Sequence, residues 1–456
     1  RGGEIKQQIL LDGFNLYVYV LSQPLPKDPF RFMSCEEINR LDILNTTDDD
    51  YYGYLLEVDL KYPKHLHESH QDLPFCPESQ FPPRSKQKKL LATLRDKFNY
   101  VIHIRALRQA LLHGLILTKI HRGIKFHQEA FVRPFVEKTT KLRQQASTTF
   151  EKNLFKLIVN SNYGKFLEQV QKRSDIELIT NAKRFERVVS DNFFHHATIF
   201  DETLAAAHRT KKIIKYNRPA FIAQAVLDIA KSHMYYFWYD VLKPLYGSDI
   251  KLCMTDTDSL LFELRNHDFY EDMVKYIDYF DTSDYPKDHP AYSIKNKKVI
   301  GKFTEEYNAE PIKAFYGLRA KMYSIISLNS EKRRGKGIKK KVVKNEISTQ
   351  DYIDCLFSNK DFTHEQSTII SKKQVLYTIK TNKKSLSAYD DKRIVTRDGI
   401  TTIPYGFYAF EKHKELLEKV HEEMRTKNFK ANGKRKLSYN RTRTIKRFKG
   451  YIAEDG

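Results

Sequence analysis

Cysteine is scarce: four in 456 residues, at positions 35, 76, 253 and 355. They stand too far apart for a CxxC zinc site or a disulfide framework, which points to a reducing compartment. No apolar run approaches the roughly 18 residues a membrane-spanning helix needs. The chain opens RGGEIKQQ, with neither an initiating Met nor a signal peptide, so it reads as a soluble intracellular protein or a piece of a longer one. No internal repeat is visible. With 41% hydrophobic and 13% aromatic residues, the composition argues against disorder, and a substantial core, in two to four domains, is expected.

Negative charge is also in short supply. Lys and Arg number 79 against 57 Asp and Glu, a formal charge of +22, and an excess of that size signals a polyanionic partner. Two clusters concentrate it. EKRRGKGIKKKVVK (331–344) sets eight basic residues, Lys336 and Lys339 among them, around two glycines. RTKNFKANGKRKLSYNRTRTIKRFK (425–449) has eleven basic residues, no acidic one, and interleaved aromatics. Such runs suit phosphate-backbone contacts, although a solvated basic tail or a nuclear-import signal has the same composition.

Along the chain, ILLDGFNLYVYV (9–20) reads as a strand that breaks at Asp12–Asn15 and resumes, and 54–60 reads as another. A Pro- and Lys-rich stretch, 73–89, marks a loop or insertion boundary. Residues 138–168 carry the best helical period, with Phe150, Leu154, Leu157 and Ile158 as a core-facing stripe. A second helix over 221–242 should stop near Pro244. Strand pairs surround positions 256–258 and 316–326. Helices mixed with antiparallel strand pairs give an α+β class.

The charged residues most out of place are Asp256 and Asp258, in KLCMTDTDSLLF (251–262). Strands on either side make this a hairpin with both carboxylates at its tip, able to project toward one side. Like charges so close need water, salt or a divalent cation between them. Other motifs favour the cation. LLDGFNLY puts Asp12 at a strand end with Tyr17 five residues on. KNLFKLIVNSNYG puts Lys152, Lys156 and Tyr163 on one helical stripe, opposite the apolar one. RAKMYS offers Lys321 and Tyr323 alternating onto one strand face. Lysines over carboxylate-bound metals make a triphosphate site.

In that order, Asp-x-x-x-Leu-Tyr, Lys-x-x-x-Asn-Ser-x-Tyr-Gly, Asp-Thr-Asp-Ser and Lys-x-Tyr resemble the motif series of family B DNA polymerases. The wording is similar to the protein-primed branch, in particular the enzymes of Polinton/Maverick transposons, related viruses and linear plasmids. LSQPLP (21–26), EVDLKYPKHLH (57–67), LTKIHRGIKF (117–126) and DDKRIVTRDGITTIPYGFY (390–408) extend the resemblance over nearly the whole chain.

The resemblance implies a right-hand fold: a palm with an antiparallel sheet from 1–50 and 216–330, an insertion of the protein-primed type at 51–100, and a palm segment with a long fingers helix over 101–168. A second small insertion would occupy 169–215, and a thumb with a basic tail 331–456. It implies Asp12, Asp256 and Asp258 as catalytic metal ligands for two Mg²⁺ ions, with Mn²⁺ as substitute. Tyr17 would exclude a 2′-hydroxyl, Lys152 and Lys156 would hold the triphosphate, Asn160 would shape the helix, and Tyr163 would stack near the nascent pair. Lys321, Tyr323, Lys336 and Lys339 would contact DNA. Partners would be primer–template and dNTPs, with a terminal protein as one possible primer, no membrane, and a monomeric chain. Nucleus or mitochondrion would be the compartment in a eukaryote, and the genome replicated that of a mobile element or virus.

Some features depart from the family pattern. Val18 stands where many relatives have Pro, and Met254–Thr255 replace the usual Tyr before Asp-Thr-Asp-Ser. DLKYP (59–63) mimics the first motif with Asp59 and Tyr62 only three apart. Nothing ahead of Asp12 could hold a proofreading exonuclease, which makes the chain a polymerase core, either a fragment or a decayed element. HLHESH (65–70) lacks partners at zinc spacing and reads as a surface loop. Two alternatives stand beside the polymerase: an inactive DNA-binding remnant, and a two-metal nuclease, which would have no use for the lysine helix.

Overall fold

The computed structural model describes residues 6–411, with 84, 359, 373–374 and 397 excepted. The basic cluster at 425–449 lies outside the described residues.

The strand Lys6–Gly13 runs through a four-stranded antiparallel sheet, paired on one side with Ser259–Arg265 and on the other with Phe303–Glu305. Ile250–Asp256 completes the sheet beyond Ser259–Arg265. Alternation is hidden in the sequence because both faces are covered. Ile9, Leu11, Leu260 and Phe262 enter the main core, while Leu10 and Leu261 enter a smaller cluster with Ile312, Tyr323 and Ile325. Burying each of these side chains contributes roughly 1.5–3 kcal/mol. The second cluster comes from a separate three-stranded sheet, Ile312–Arg319, Met322–Ser327 and Glu331–Gly335, laid on the far face. The strands expected between 216 and 330 therefore divide between two sheets, packed face to face.

The main core is built on the helix Ala220–Tyr236, which buries Ile222, Val226, Ile229 and Met234. It stops close to Pro244, two residues beyond it. A π-helical turn, Phe237–Leu242, continues it into Lys243–Tyr246, and Pro244 lies at the start of that last segment. The chain leaves only at Gly247, with φ +54°. Phe237 in the π turn stacks on Phe303 of the edge strand at 3.8 Å between centroids.

A second four-stranded antiparallel sheet has the order Leu25–Phe32, Ile116–Glu129, Tyr52–Lys61, Lys97–His103. It draws strands from both sides of 51–100, so that segment is woven into a sheet and does not stand alone. Residues 174–210 form three strands around the helix Ala182–Val189, with a small core of Ile179, Val188 and Ala207. Beyond 335, helices Lys340–Asn345 and Thr349–Ser358 and the hairpin Phe362–Lys372/Val375–Leu386 share a cluster with Leu318 and Met322.

Three local expectations are corrected. The strand over 9–20 does not resume: after Gly13, Asn15 adopts φ +50° and starts the helix Leu16–Leu21. Leu16, Val18, Val20 and Leu21 are all buried, which overrides the strand preference of Val and Tyr. The helix over 138–168 is two helices, Arg133–Gln145 and Thr149–Phe166. A capping box breaks them: Thr148 Oγ1 accepts from Glu151 N–H, and the Glu151 carboxylate accepts from Thr148 N–H, both at 3.2 Å. The apolar stripe does not face the core either, for Phe150 and Leu157 are 75% and 66% exposed. What holds this helix is Val159, with Tyr163 and Phe166 against the main core. Periodicity located the stripe but could not say what covers it.

Gly301 joins the edge strand to the first helix. Its N–H donates to Phe14 O at 2.9 Å, its carbonyl accepts from His233 Nε2, and a Cβ added there would lie 2.6 Å from the Tyr19 ring at φ +80°. Gly301→Ala is therefore expected to destabilise the fold by about 2 kcal/mol or more in a urea melt, and a neutral result would mean that Tyr19 moves freely.

A candidate active site at the acid turn

Strand register brings the carboxylates together. Asp12 lies opposite Ser259, whose Oγ donates to Asp12 Oδ1 at 2.8 Å. One residue on, Gly13 N–H donates to Asp258 O at 2.7 Å, tying the first strand to the tip of the hairpin. The hairpin closes through only two residues, Thr257 and Asp258, since Asp256 pairs with Ser259. Asp258 N–H donates back to Asp256 O at 2.7 Å across Thr257, whose φ is +65°. A γ-turn centred on a β-branched residue with positive φ costs on the order of 1–3 kcal/mol and persists only where surroundings impose it. Here the Gly13 bond imposes it.

The electrostatics carry a second strain. Burial, then the charge of Asp258, pushes the Asp12 carboxyl up to about 6, against a smaller opposing effect of the Ser259 hydrogen bond. Asp258 is likewise raised, by burial first, then by Asp256 and Glu306, with its own backbone hydrogen bond and Lys321 opposing. Lys321 Nζ stands 3.0 Å from Asp256 Oδ1. Glu306, not singled out in the sequence, hangs just past the edge strand: its N–H donates to Leu10 O at 2.9 Å, and its carboxylate pairs with Lys332. Nothing local could have announced it, because its relevance comes from an edge strand nearly 300 residues from Asp12.

Tyr17, on the helix that Asn15 starts, stacks on Tyr163 at 4.9 Å between centroids and 11° between planes. Burial and the nearby Asp258 raise the Tyr17 hydroxyl, and burial raises Tyr163 to about 12. On the same helix as Tyr163, the side chains of Lys152, Lys156 and Asn160 are exposed. Among the described residues neither lysine has a carboxylate partner. The structure thus brings Asp12, Asp256, Asp258 and Lys321 to one corner, with the stacked Tyr17–Tyr163 pair near enough for the charge of Asp258 to act on the Tyr17 hydroxyl.

Others are placed differently. Lys321 and Tyr323 do not alternate on one strand face: Lys321 occupies the turn before Met322–Ser327, with φ +61°, while the Tyr323 ring is buried in the cluster beneath the sheet. Lys336 and Lys339 are exposed beyond that sheet, and Lys339 N–H donates to Gln366 Oε1 at 3.2 Å. Asp59 and Tyr62, the mimic of the first motif, lie in the second sheet. Asp59 pairs with His121 at 2.8 Å, and the buried Tyr62 hydroxyl meets His70 Nδ1 at 3.0 Å and accepts from Phe75 N–H. His67 and His70 are buried too, so 65–70 is no simple surface loop; burial lowers both, His70 to about 4.

Among the described residues, no three His, Cys, Asp or Glu side chains stand close enough to ligate one ion. The donor set still suits a hard cation. Mg²⁺ takes one or two protein carboxylates and fills its shell with water and phosphate oxygens, and a pair of mutually repelling carboxylates is the arrangement it relieves. A cavity of about 600 Å³, walled by Tyr19, Arg105, His233 and Phe303, lies on the opposite face of the first helix from Tyr17 and contains none of the three acids.

The class follows from comparison. Residues 6–244 match the family model of DNA polymerase type B, organellar and viral, and the chain belongs to that family. Its fold resembles phi29 DNA polymerase in the orthorhombic crystal form, with a TM-score of 0.50, 14% identity, and 84% of this chain and 59% of that one covered. A phi29 complex with primer–template DNA and incoming nucleotide gives 0.51 at 15% identity, covering 85% and 58%. At such identities the likeness shows the fold alone, and the chain spans under two thirds of the phi29 enzyme. No curated protein matches. Among the described residues, no helix is long and apolar enough to cross a membrane.

Because Asp12 is raised from 3.8 to about 6, its ionised form costs the folded state stability, fully above pH 6 and not at all below about 4. Discounted for solvent screening, the cost is on the order of 1 kcal/mol. Asp12→Asn in EDTA should therefore melt higher than wild type at pH 8, with the gap closing toward pH 4. A variant that melts lower at pH 8 would contradict the repulsion.

Proposed function

We propose that the chain is a template-directed DNA polymerase that adds dNTPs to a primer 3′ end by two-metal phosphoryl transfer. The observation that carries this reading is the Asp12–Asp258 pair with a stacked Tyr17–Tyr163 couple close enough for Asp258 to act on the Tyr17 hydroxyl, and, on the Tyr163 helix, two exposed lysines with no carboxylate partner among the described residues. Carboxylates alone would serve a nuclease. A stacked aromatic pair near them, one ring of it on a helix that also carries two exposed lysines, suits a nucleoside triphosphate.

In this reading the sheet of Lys6–Gly13, Ile250–Asp256, Ser259–Arg265 and Phe303–Glu305 is the palm. Helices Arg133–Gln145 and Thr149–Phe166 are the fingers, 174–210 a small insertion, and 331–411 the described part of the thumb. Asp12 and Asp258 would hold Mg²⁺, or Mn²⁺ in its place, with Asp256 in support. The bound ions would bridge the phosphates and neutralise developing charge. Lys156 and Lys152 orient the triphosphate, while Asn160 faces outward on the same helix. Tyr17 and Tyr163 must part, or slide, to admit a nucleotide, after which the Tyr17 ring lies under the sugar. Lys321, Lys336 and Lys339 meet backbone phosphates, and Tyr323 supports that sheet from below. Replication of a mobile or virus-like genome, with or without a terminal protein, is the setting this family suggests.

Primer extension with dNTPs and Mg²⁺ tests the reading directly, and its absence from a folded chain would overturn it. Tyr17→Val should keep dNTP incorporation within tenfold but raise ribonucleotide incorporation ~10–100-fold, because a 2′-hydroxyl is rejected only by overlap. Lys156→Ala should weaken all four dNTPs alike. Tyr62→Val should instead cost about 2–4 kcal/mol of stability with sugar selection unchanged, since its ring is core.

A further inference from the structure

Lys321 sits where few residues would choose to be. It is a non-glycine residue at φ +61° in a two-residue turn, because Arg319 pairs directly with Met322. That geometry aims its ammonium at Asp256 Oδ1, 3.0 Å away. Both partners retain solvent access, at 58% and 31%, so the pair can open without leaving a buried charge. Asp256 precedes the strained Thr257, and Asp258, the candidate ligand, follows it. A single cation thus touches one of the paired aspartates and moderates the other.

We propose that Lys321 and Asp256 form an exchangeable ion pair that couples primer docking to loading of the carboxylate site. The inference rests on the polymerase reading and adds to it a link between two of its parts. With no DNA bound, Asp256 occupies the lysine. A backbone phosphate arriving at Lys321 must compete with Asp256 for the same ammonium. Once it wins, Asp256 is freed beside Asp258, and local negative charge rises where a divalent cation binds. Coupling of this kind is reciprocal: whatever the phosphate does for the cation, the cation does for the phosphate. Lys321 is accordingly a positioning residue, acting through Asp256.

The test measures primer–template affinity in EDTA, where no cation contributes, using fluorescence anisotropy of a labelled duplex. Asp256→Asn frees Lys321 and should tighten binding about two- to fivefold, the range of an exposed ion pair. Asp258→Asn removes the same charge but releases no lysine, which controls for plain loss of repulsion. In a Lys321→Met background the gain from Asp256→Asn should vanish, as a double-mutant cycle requires when two residues act on each other. As a second readout, Mn²⁺ affinity followed by titration calorimetry should rise on adding primer–template, more in wild type than in Lys321→Met. Equal gains from Asp256→Asn and Asp258→Asn, or a gain that survives Lys321→Met, would overturn the coupling while leaving the polymerase reading in place. A wild-type chain that binds no primer–template would overturn both.

Discussion

One hydrogen bond organises the site: Gly13 N–H to Asp258 O, made possible by the register that sets Asp12 against Ser259. Because side chains alternate along a strand, a slip of one residue would turn Asp12 to the other face and bury a charge among Ile9, Leu11 and Phe262. The apolar residues on either side forbid that slip. Ile9 and Leu11 belong to one core, Leu10 to another, and both cores are filled from distant segments. Hydrophobic burial therefore fixes the register, and the register forces two carboxylates and a positive-φ threonine into one corner. The fold is strained there because it is so well determined around it.

The same corner sets the aromatic half of the site. Gly13 ends the strand and Asn15, at φ +50°, starts a helix within two residues. In that helix Tyr17 and Tyr19 lie about 200° apart around the axis. Tyr17 meets Tyr163, and Tyr19 meets His233 and Gly301. A continued strand, as the alternation of Tyr and Val suggested, would have placed both rings on one face. The turn to helix is what allows one short segment to floor the candidate nucleotide site and also bolt the sheet of Lys6–Gly13 to the main core.

How much of this was legible depended on range. Asp12, Asp256, Asp258, Tyr17 and Tyr163 announced themselves through spacing within short segments, which local geometry fixes. Glu306 could not, because the pairing of Lys6–Gly13 with Phe303–Glu305, across most of the chain, delivers it. The break at 146–148 was readable in principle, since Thr-Thr-Phe-Glu is a capping box, but a strong period on both sides concealed it. Lys321 was found by motif and misplaced by periodicity, because a two-residue turn with positive φ leaves no mark in hydrophobic pattern. Tyr62 and Asp59 show the converse: a convincing local motif absorbed by core and sheet contacts.

The charge excess divides the same way. Several cations of the 331–344 cluster are committed within the fold: Lys332 to Glu306, and Arg333 to the carbonyls of Ile347 and Lys344. Others nearby pair across the hairpin, Lys384 with Asp361 and Lys380 with Glu365. Lys152, Lys156 and Lys336 have no such partner among the described residues. A guanidinium locked onto two carbonyls gains little from a phosphate, since it would first have to abandon both and leave them unsatisfied. An uncompensated ammonium on an exposed helix gives up only water. Net charge therefore overstates how many cations are available to a polyanion; among the described residues Lys152 and Lys156, along the helix that carries Tyr163, are two that the fold has left without a carboxylate.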